Sequence, residues 1–290
     1  MRAVVADVDG SVTRGGITVR YERYGTGTPT LVLLPTWSLL HSRHWKLQVP
    51  YLARRYPVLS FDGRGNGRSD RPVGSPAYDP AEFAADALAV MDATDTGRAV
   101  LISVSRGVLW SLRLCAEHPE RVLGAIFIDP IVPFALPPAH RALFERFDDA
   151  VVDDPVGWQK YNAQHWKADY RDFVEFFVGR MFTEPHSTKQ HEDAVGWALE
   201  TDPVTMIATN HGLLVSTPDA IGRLADRVRC PTLVIHGSRD AICNHSQGVA
   251  LAERTRGALV TLEGSGHCPH LRDPVRVNLL IRRFVEELAA

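Results

Sequence analysis

Val100-Leu101-Ile102-Ser103-Val104-Ser105-Arg106-Gly107 decides how the rest of the chain is read. An apolar run meets Ser105, and Gly107 follows two residues later. Residues 108–118 then carry apolar side chains at 108, 109, 112 and 115, the spacing of one helix face. A strand that enters a helix through one residue makes a tight turn. Its flanks must be small, because the two backbones pass close together. Ser103 and Gly107 supply small flanks, which places the Ser105 hydroxyl above the strand end, at the helix N-terminus. The pattern is S-x-S-x-G, one residue away from the G-x-S-x-G of a nucleophile elbow. Taken alone it is weak, and a strand ending on an N-cap serine is the simpler account.

Neighbouring segments extend the pattern. Residues 30–34 form a short apolar strand followed by Pro35-Thr36-Trp37-Ser38-Leu39-Leu40, and residues 44–55 read as a helix. Val58–Phe61 is a second apolar strand, ending in Asp62-Gly63-Arg64-Gly65-Asn66-Gly67-Arg68-Ser69. That run lacks phosphate-loop spacing, since Arg68 stands where G-x-G-x-x-G requires glycine, so it reads as a tight irregular loop. Asp79 and Pro80 open a helix as N-cap and N1. Val122–Ile128 is again apolar and ends at Asp129-Pro130. Continuous apolar strands alternating with helices predict a parallel sheet covered on both faces.

Residues 1–24 are strand-like on both sides of Thr13-Arg14-Gly15-Gly16, which predicts a hairpin. Within it, Asp7-Val8-Asp9-Gly10 resembles the first motif of the haloacid-dehalogenase-like phosphatases. That motif needs a following helix, and a second strand follows instead. Residues 132–216 break the strand-helix rhythm: they are helical in pattern, rich in aromatics and free of apolar strands. They read as an inserted cap, with the core formed by 1–131 and 217–290. The rhythm resumes at 231–235, followed by His236-Gly237-Ser238-Arg239-Asp240. A last strand at 259–262 leads into Gly264-Ser265-Gly266-His267-Cys268-Pro269-His270.

Composition narrows the function classes. A net charge of −2 offers no basic surface for nucleic acid. Only four of the 32 basic residues are lysine, a bias that reflects codon composition more simply than a binding site. Asp7 and Asp9 interrupt any apolar leader, and no stretch approaches the ~18 apolar residues of a membrane span. Four cysteines without C-x-x-C spacing suggest neither zinc nor a disulfide framework. The expectation is a soluble cytoplasmic protein with no metal and no cofactor. Its expected partner is a small-molecule substrate, with a homodimer left open.

Ser105, Asp240 and His267 each lie just beyond the C-terminal end of an apolar strand, and in an open parallel sheet those ends share one ligand-binding edge. The order Ser-Asp-His, the elbow, the strand-H-G-x-x-D segment, the G-x-G-H-x-P-H loop and the D-x-R-G-x-G-x-S loop at 62–69 together resemble the α/β-hydrolase fold superfamily. The resemblance covers about residues 17–288. It implies an α/β fold: a mostly parallel central sheet of about eight strands flanked by helices, with a helical cap.

It also implies a chemistry. Ser105 is the nucleophile, His267 takes its proton, and Asp240 orients and stabilises the imidazole. The oxyanion donors are the backbone N–H groups of Arg106 and Trp37. Trp37, Trp166 and Phe177 are the expected substrate contacts. Asp129 remains a rival acid and His270 a rival base, although the G-x-G-H register favours His267. His41 and His44 flank the oxyanion loop, where surface or packing roles suit them better. Family members usually carry His-Gly where this chain has Pro35-Thr36, which leaves the oxyanion loop geometry open. Cys243 and Cys268 lie close to Asp240 and His267 in sequence, and two free thiols are expected there. The leading activity is hydrolysis of a small or medium apolar carboxylic ester through an acyl-enzyme. Carbon–carbon hydrolysis of a diketone, acyl transfer and a slow-turnover receptor are the alternatives.

Overall fold

The computed structural model describes residues 4–214 and 217–288. Its eight strands are β1 (Val8–Arg14), β2 (Ile17–Tyr24), β3 (Thr30–Leu33), β4 (Val58–Phe61), β5 (Ala99–Val104), β6 (Val122–Ile128), β7 (Thr232–Gly237) and β8 (Ala258–Leu262). They form one sheet in the order β1-β2-β4-β3-β5-β6-β7-β8. The β1–β2 hairpin and the β2–β4 pair are antiparallel, and every later pair is parallel. Asp7 and Asp9 sit at the antiparallel edge, where Asp7 accepts from Gly25 N–H and Asp9 pairs with Arg20 and Arg68. A nucleophile for phosphoryl transfer is therefore not placed there.

Each face of the sheet carries a core. In β5, Leu101 points into one and Val100, Ile102 and Val104 into the other, the two-residue alternation of a pleated strand. Helices α2 (Pro80–Ala93), α3 (Gly107–Glu117), α9 (Pro218–Arg227) and α10 (Ser246–Thr255) cover the first face. The short α1 (Val49–Leu52) and the C-terminal α12 (Pro274–Leu288) cover the second, with α11 (Pro269–Arg272) leading into α12. The helix expected over 44–55 is instead a 3-10 turn at Ser42–Trp45 followed by one turn of α1. Pro50 lies in the first turn of α1 and gives its ring to a position that cannot continue a helix from upstream.

Between β6 and α9 lie α4 (Pro138–Glu145), α5 (Ala163–Ala168), α6 (Tyr170–Met181), α7 (Thr188–Ala198) and α8 (Pro203–Leu214). Their apolar faces meet over the strand ends in a third cluster of Trp37, Phe147, Trp166, Phe173 and their neighbours. The expected cap boundary at 216 lies outside the described residues. Among the described residues, no helix is long and apolar enough to cross a membrane.

Candidate active site

The β5–α3 turn forces Ser105 into the left-handed region, with φ 52°. A non-glycine residue there is strained, and the surroundings must hold it. Ser105 N–H donates to Ile128 C=O at 2.9 Å, and Ser105 C=O receives Val108 N–H as α3 begins. The small flanks are required by close approach: a Cβ on Gly107 would lie 2.8 Å from Pro35 C=O and 3.4 Å from Ser103 Cβ. The Ser103 hydroxyl turns back on Ile126 C=O.

Asp240 and His267 stand at the ends of β7 and β8, which are neighbours in the sheet. Their loops are packed backbone to backbone, since a Cβ on Gly237 would lie 2.4 Å from both Ser265 C=O and Gly266 C=O. Asp240 Oδ1 accepts from the N–H groups of Ile242 and Cys243, each at 2.8 Å. Asp240 Oδ2 lies 2.7 Å from His267 Nδ1 and 3.3 Å from His236 Nε2. Burial alone would raise the Asp240 carboxyl. The charge and hydrogen bond of His267, with those of His236, outweigh it and hold the group below the usual carboxylate range. An ionised carboxylate only accepts, so His267 Nδ1 carries a proton, and in the neutral imidazole the lone pair lies on Nε2. His236 Nε2 likewise faces two acceptors, Asp240 and Cys243 C=O, and is the protonated nitrogen.

His267 and Ser105 line one pocket together with Trp37, Arg106 and Phe177. Burial, with the charges of Asp240 and Asp129, pushes the Cys243 thiol well above its usual range, and the nearby Ser105 hydroxyl opposes that only in part. Cys243, Asp240 and His267 bring their polar atoms within 4.8 Å of one another. A cation at that cluster would compete with the backbone and imidazole donors that already occupy Asp240. Cys243 and Cys268 are buried free thiols.

The loop expected to form the oxyanion hole is held without His-Gly. Thr36 Oγ1 donates to Val104 C=O at 2.9 Å, which ties the loop to the last residue of β5. Pro35 C=O accepts from Trp110 Nε1 at 2.9 Å. Among the described residues, neither Trp37 N–H nor Arg106 N–H is given to another backbone acceptor.

The rival residues have other partners, although Asp129 lies in one buried cluster with His236 and Asp240. His270 is fully buried against His44, with Nε2 3.0 Å from His44 Nδ1. Burial, helped by the charge on His267, pushes His270 down to about 3. Asp129 ends β6 with φ 43°, and its Oδ1 accepts from Gly237 N–H at 2.9 Å. Burial and the charge of Asp240 push its carboxyl well above the usual range, so it is neutral beside an ionised neighbour. His41 packs against Trp197 and Glu200.

Of the three expected substrate contacts, Trp37 and Phe177 line the pocket and Trp166 does not. Trp166 is enclosed behind Trp37, stacked on Phe173 with centroids 4.2 Å apart, and its Nε1 donates to Lys160 C=O. Helical spacing sends one face of α5 inward, but it does not say whether that face meets a ligand or other rings. His236, Cys243 and Glu184 carry no site role in the sequence reading. Glu184 receives Gly266 N–H at 2.7 Å and Met181 C=O receives His267 N–H at 3.0 Å, so the cap grips the base loop directly. For His236 the signal was present, as the histidine of H-G-x-x-D.

Residues 29–274 match the alpha/beta hydrolase fold family. Over 285 residues the chain is 27% identical to a putative non-heme chloroperoxidase from Synechocystis sp., covering 93% of this chain and 95% of the relative. It is 30% identical over 246 residues to a fluoroacetate dehalogenase from Burkholderia sp., covering 77% and 75%. An esterase from Rhodococcus sp. superposes with a TM-score of 0.76 at 25% identity, covering 97% of this chain and 98% of that one. With its sheet order, its serine elbow and this match over most of its length, the chain belongs to the alpha/beta hydrolase fold family.

Proposed function

We propose that the protein is a serine hydrolase of carboxylic esters that works through an acyl-enzyme on Ser105. The observation that carries this reading is the 2.7 Å bond between Asp240 and His267 Nδ1. It leaves Nε2 as a base in the pocket that also holds the strained Ser105. His267 Nε2 takes the hydroxyl proton as Ser105 Oγ bonds to the ester carbonyl carbon. The carbonyl π electrons move to oxygen, where the N–H groups of Trp37 and Arg106 stabilise the oxyanion. The tetrahedral intermediate collapses, the alkoxide leaves, and His267 gives it the proton. Water then enters by the same route in reverse and releases the acid.

Asp240 stays ionised throughout and stabilises the imidazolium. Two aliphatic pairs, Leu39 with Leu40 and Leu136 with Leu143, suit an apolar acyl or alcohol chain. The test is incubation with a fluorophosphonate followed by intact mass. One adduct on the native chain and none on Ser105→Ala are expected, and an unlabelled native chain would overturn the assignment.

A further inference from the structure

Arg106 is named above only for its backbone. Its side chain is 5% exposed and lines the pocket beside Ser105. Nη2 donates to Tyr161 Oη and to Asn210 Oδ1, each at 2.9 Å. The guanidinium lies over the Trp37 ring, 3.9 Å from its centroid. Nη1 is buried with no hydrogen-bond partner, and so is Asn210 Nδ2.

Among the described residues no carboxylate answers this charge. Arg64 is the one other arginine buried to this degree among them, and it is bound through two 2.7 Å bonds to Asp86. Buried arginines are normally paired in this way, because an uncompensated charge is costly to remove from water. Arg106 has only neutral acceptors and a ring face, and burial pulls its guanidinium below the ordinary arginine range. None of the residues lining the pocket is acidic. The site thus holds one fixed positive charge, unspent donors and no acceptor for them.

We infer that the substrate itself brings the missing anion: a carboxylate at the end of a short apolar acyl chain, paired with the Arg106 guanidinium. This rests on the ester-hydrolase reading and names its substrate class, the half-ester of a dicarboxylic acid. Arg106 and Ser105 line the same pocket, so a short acyl chain is the link proposed between the carboxylate and the reacting carbonyl. The apolar side chains nearby suit the methylenes between them. Hydrolysis adds water across the ester bond and yields the dicarboxylate and the alcohol.

The experiment compares monomethyl adipate with methyl hexanoate, which replaces the carboxylate by a methyl group. The native enzyme is expected to favour the half-ester by about 10–100-fold in kcat/KM, the range of a charge-assisted hydrogen bond. In Arg106→Met that ratio collapses towards one or below, and Arg106→Lys restores part of it. Because the ratio is read within each variant, general damage to the site cancels. An unchanged ratio in Arg106→Met, or a native preference for methyl hexanoate, overturns the inference.

A second arm needs neither turnover nor a folded Arg106 variant. Calorimetry on Ser105→Ala is expected to show binding of monomethyl adipate at least about tenfold tighter than methyl hexanoate. Equal or weaker binding overturns the inference even if the native enzyme proves to be an esterase. Tight binding without fluorophosphonate labelling of the native chain sustains the carboxylate site and removes the ester chemistry.

Discussion

Ser105 and Phe177 line the same pocket, yet they are held there by different means. Beneath the substrate, position is set by backbone geometry. Ser105 has a left-handed φ, Gly107 leaves no space for a Cβ, and the acid and base loops touch through their main chains. Above it, position is set by ring against ring. Phe177 packs edge-on to Trp37 with centroids 5.4 Å apart, and Phe173 stacks on Trp166. Main-chain constraints admit few residues and leave a mark in sequence. Aromatic packing admits many solutions of similar volume and leaves only composition.

Substitutions below and above the substrate should therefore fail differently. Ser105→Ala is the largest expected effect, a loss of roughly 10⁴–10⁶ in kcat with stability retained. Residual activity of more than a few per cent would break the distinction at its centre. Asp240→Asn should cost about 10⁴ in kcat, because His267 would be offered the wrong partner for its Nδ1–H. Asp129→Asn keeps an acceptor for Gly237 N–H at the same place and should stay within about tenfold of the native rate. If the two losses come out reversed, the acid has been assigned to the wrong strand.

Above the substrate the expected losses separate again. Trp166→Ala empties a fully enclosed site and should cost about 3–5 kcal/mol in urea unfolding while chain-length preference is kept. Phe177→Ala should move preference towards longer or bulkier esters by several-fold, with a smaller loss of stability. A chain-length profile that shifts with Trp166 and not with Phe177 would exchange their roles.

The smallest effect is on the pH dependence of stability. His270 and His44 are buried neutral, with pKa values lowered by burial, His270 to about 3. Below about 6.5 the unfolded chain binds protons at these residues that the folded chain refuses, so stability falls as pH falls. Asp129 acts with the opposite sign. It keeps its proton in the fold while the unfolded chain has lost it, so the fold gains as pH drops towards about 4. Among these three groups the balance leaves the equivalent of one histidine, about 2 kcal/mol lost between pH 6.5 and 5, to which the burial-lowered His41, His140 and His245 add in the same direction. Asp129→Asn removes the opposing contribution and should steepen that slope. Equal slopes in urea titrations of both proteins would show that Asp129 is not held neutral.

The same division explains what could be read in advance. Strands showed as apolar runs closed by small or polar residues, and each of the three proposed catalytic residues stood just beyond such a closure. The α2 cap was equally plain: Asp79 accepts from Ala81 N–H at 2.7 Å behind Pro80. The helix expected over 44–55 did not allow for Pro50, which sits in the first turn of α1. Trp166 misled because one apolar face of a helix looks the same whether it meets a ligand or another ring. The side chain of Arg106 was invisible for a further reason: its meaning lies in the absence of a carboxylate, and partners brought by Tyr161 and Asn210 are distant in sequence.

The strand order also dictates when activity arises. Ser105 belongs to β5 and its partners to β7 and β8, with β6 between them. A nascent chain that has completed β6 has Ser105 held by Ile128 C=O but lacks His267, which follows the last strand. The long cap must be spanned before β7 can pair, and closing such a loop is slow. Recovery of ester hydrolysis during refolding should therefore trail the return of helical circular dichroism, making turnover a clock for the final strand.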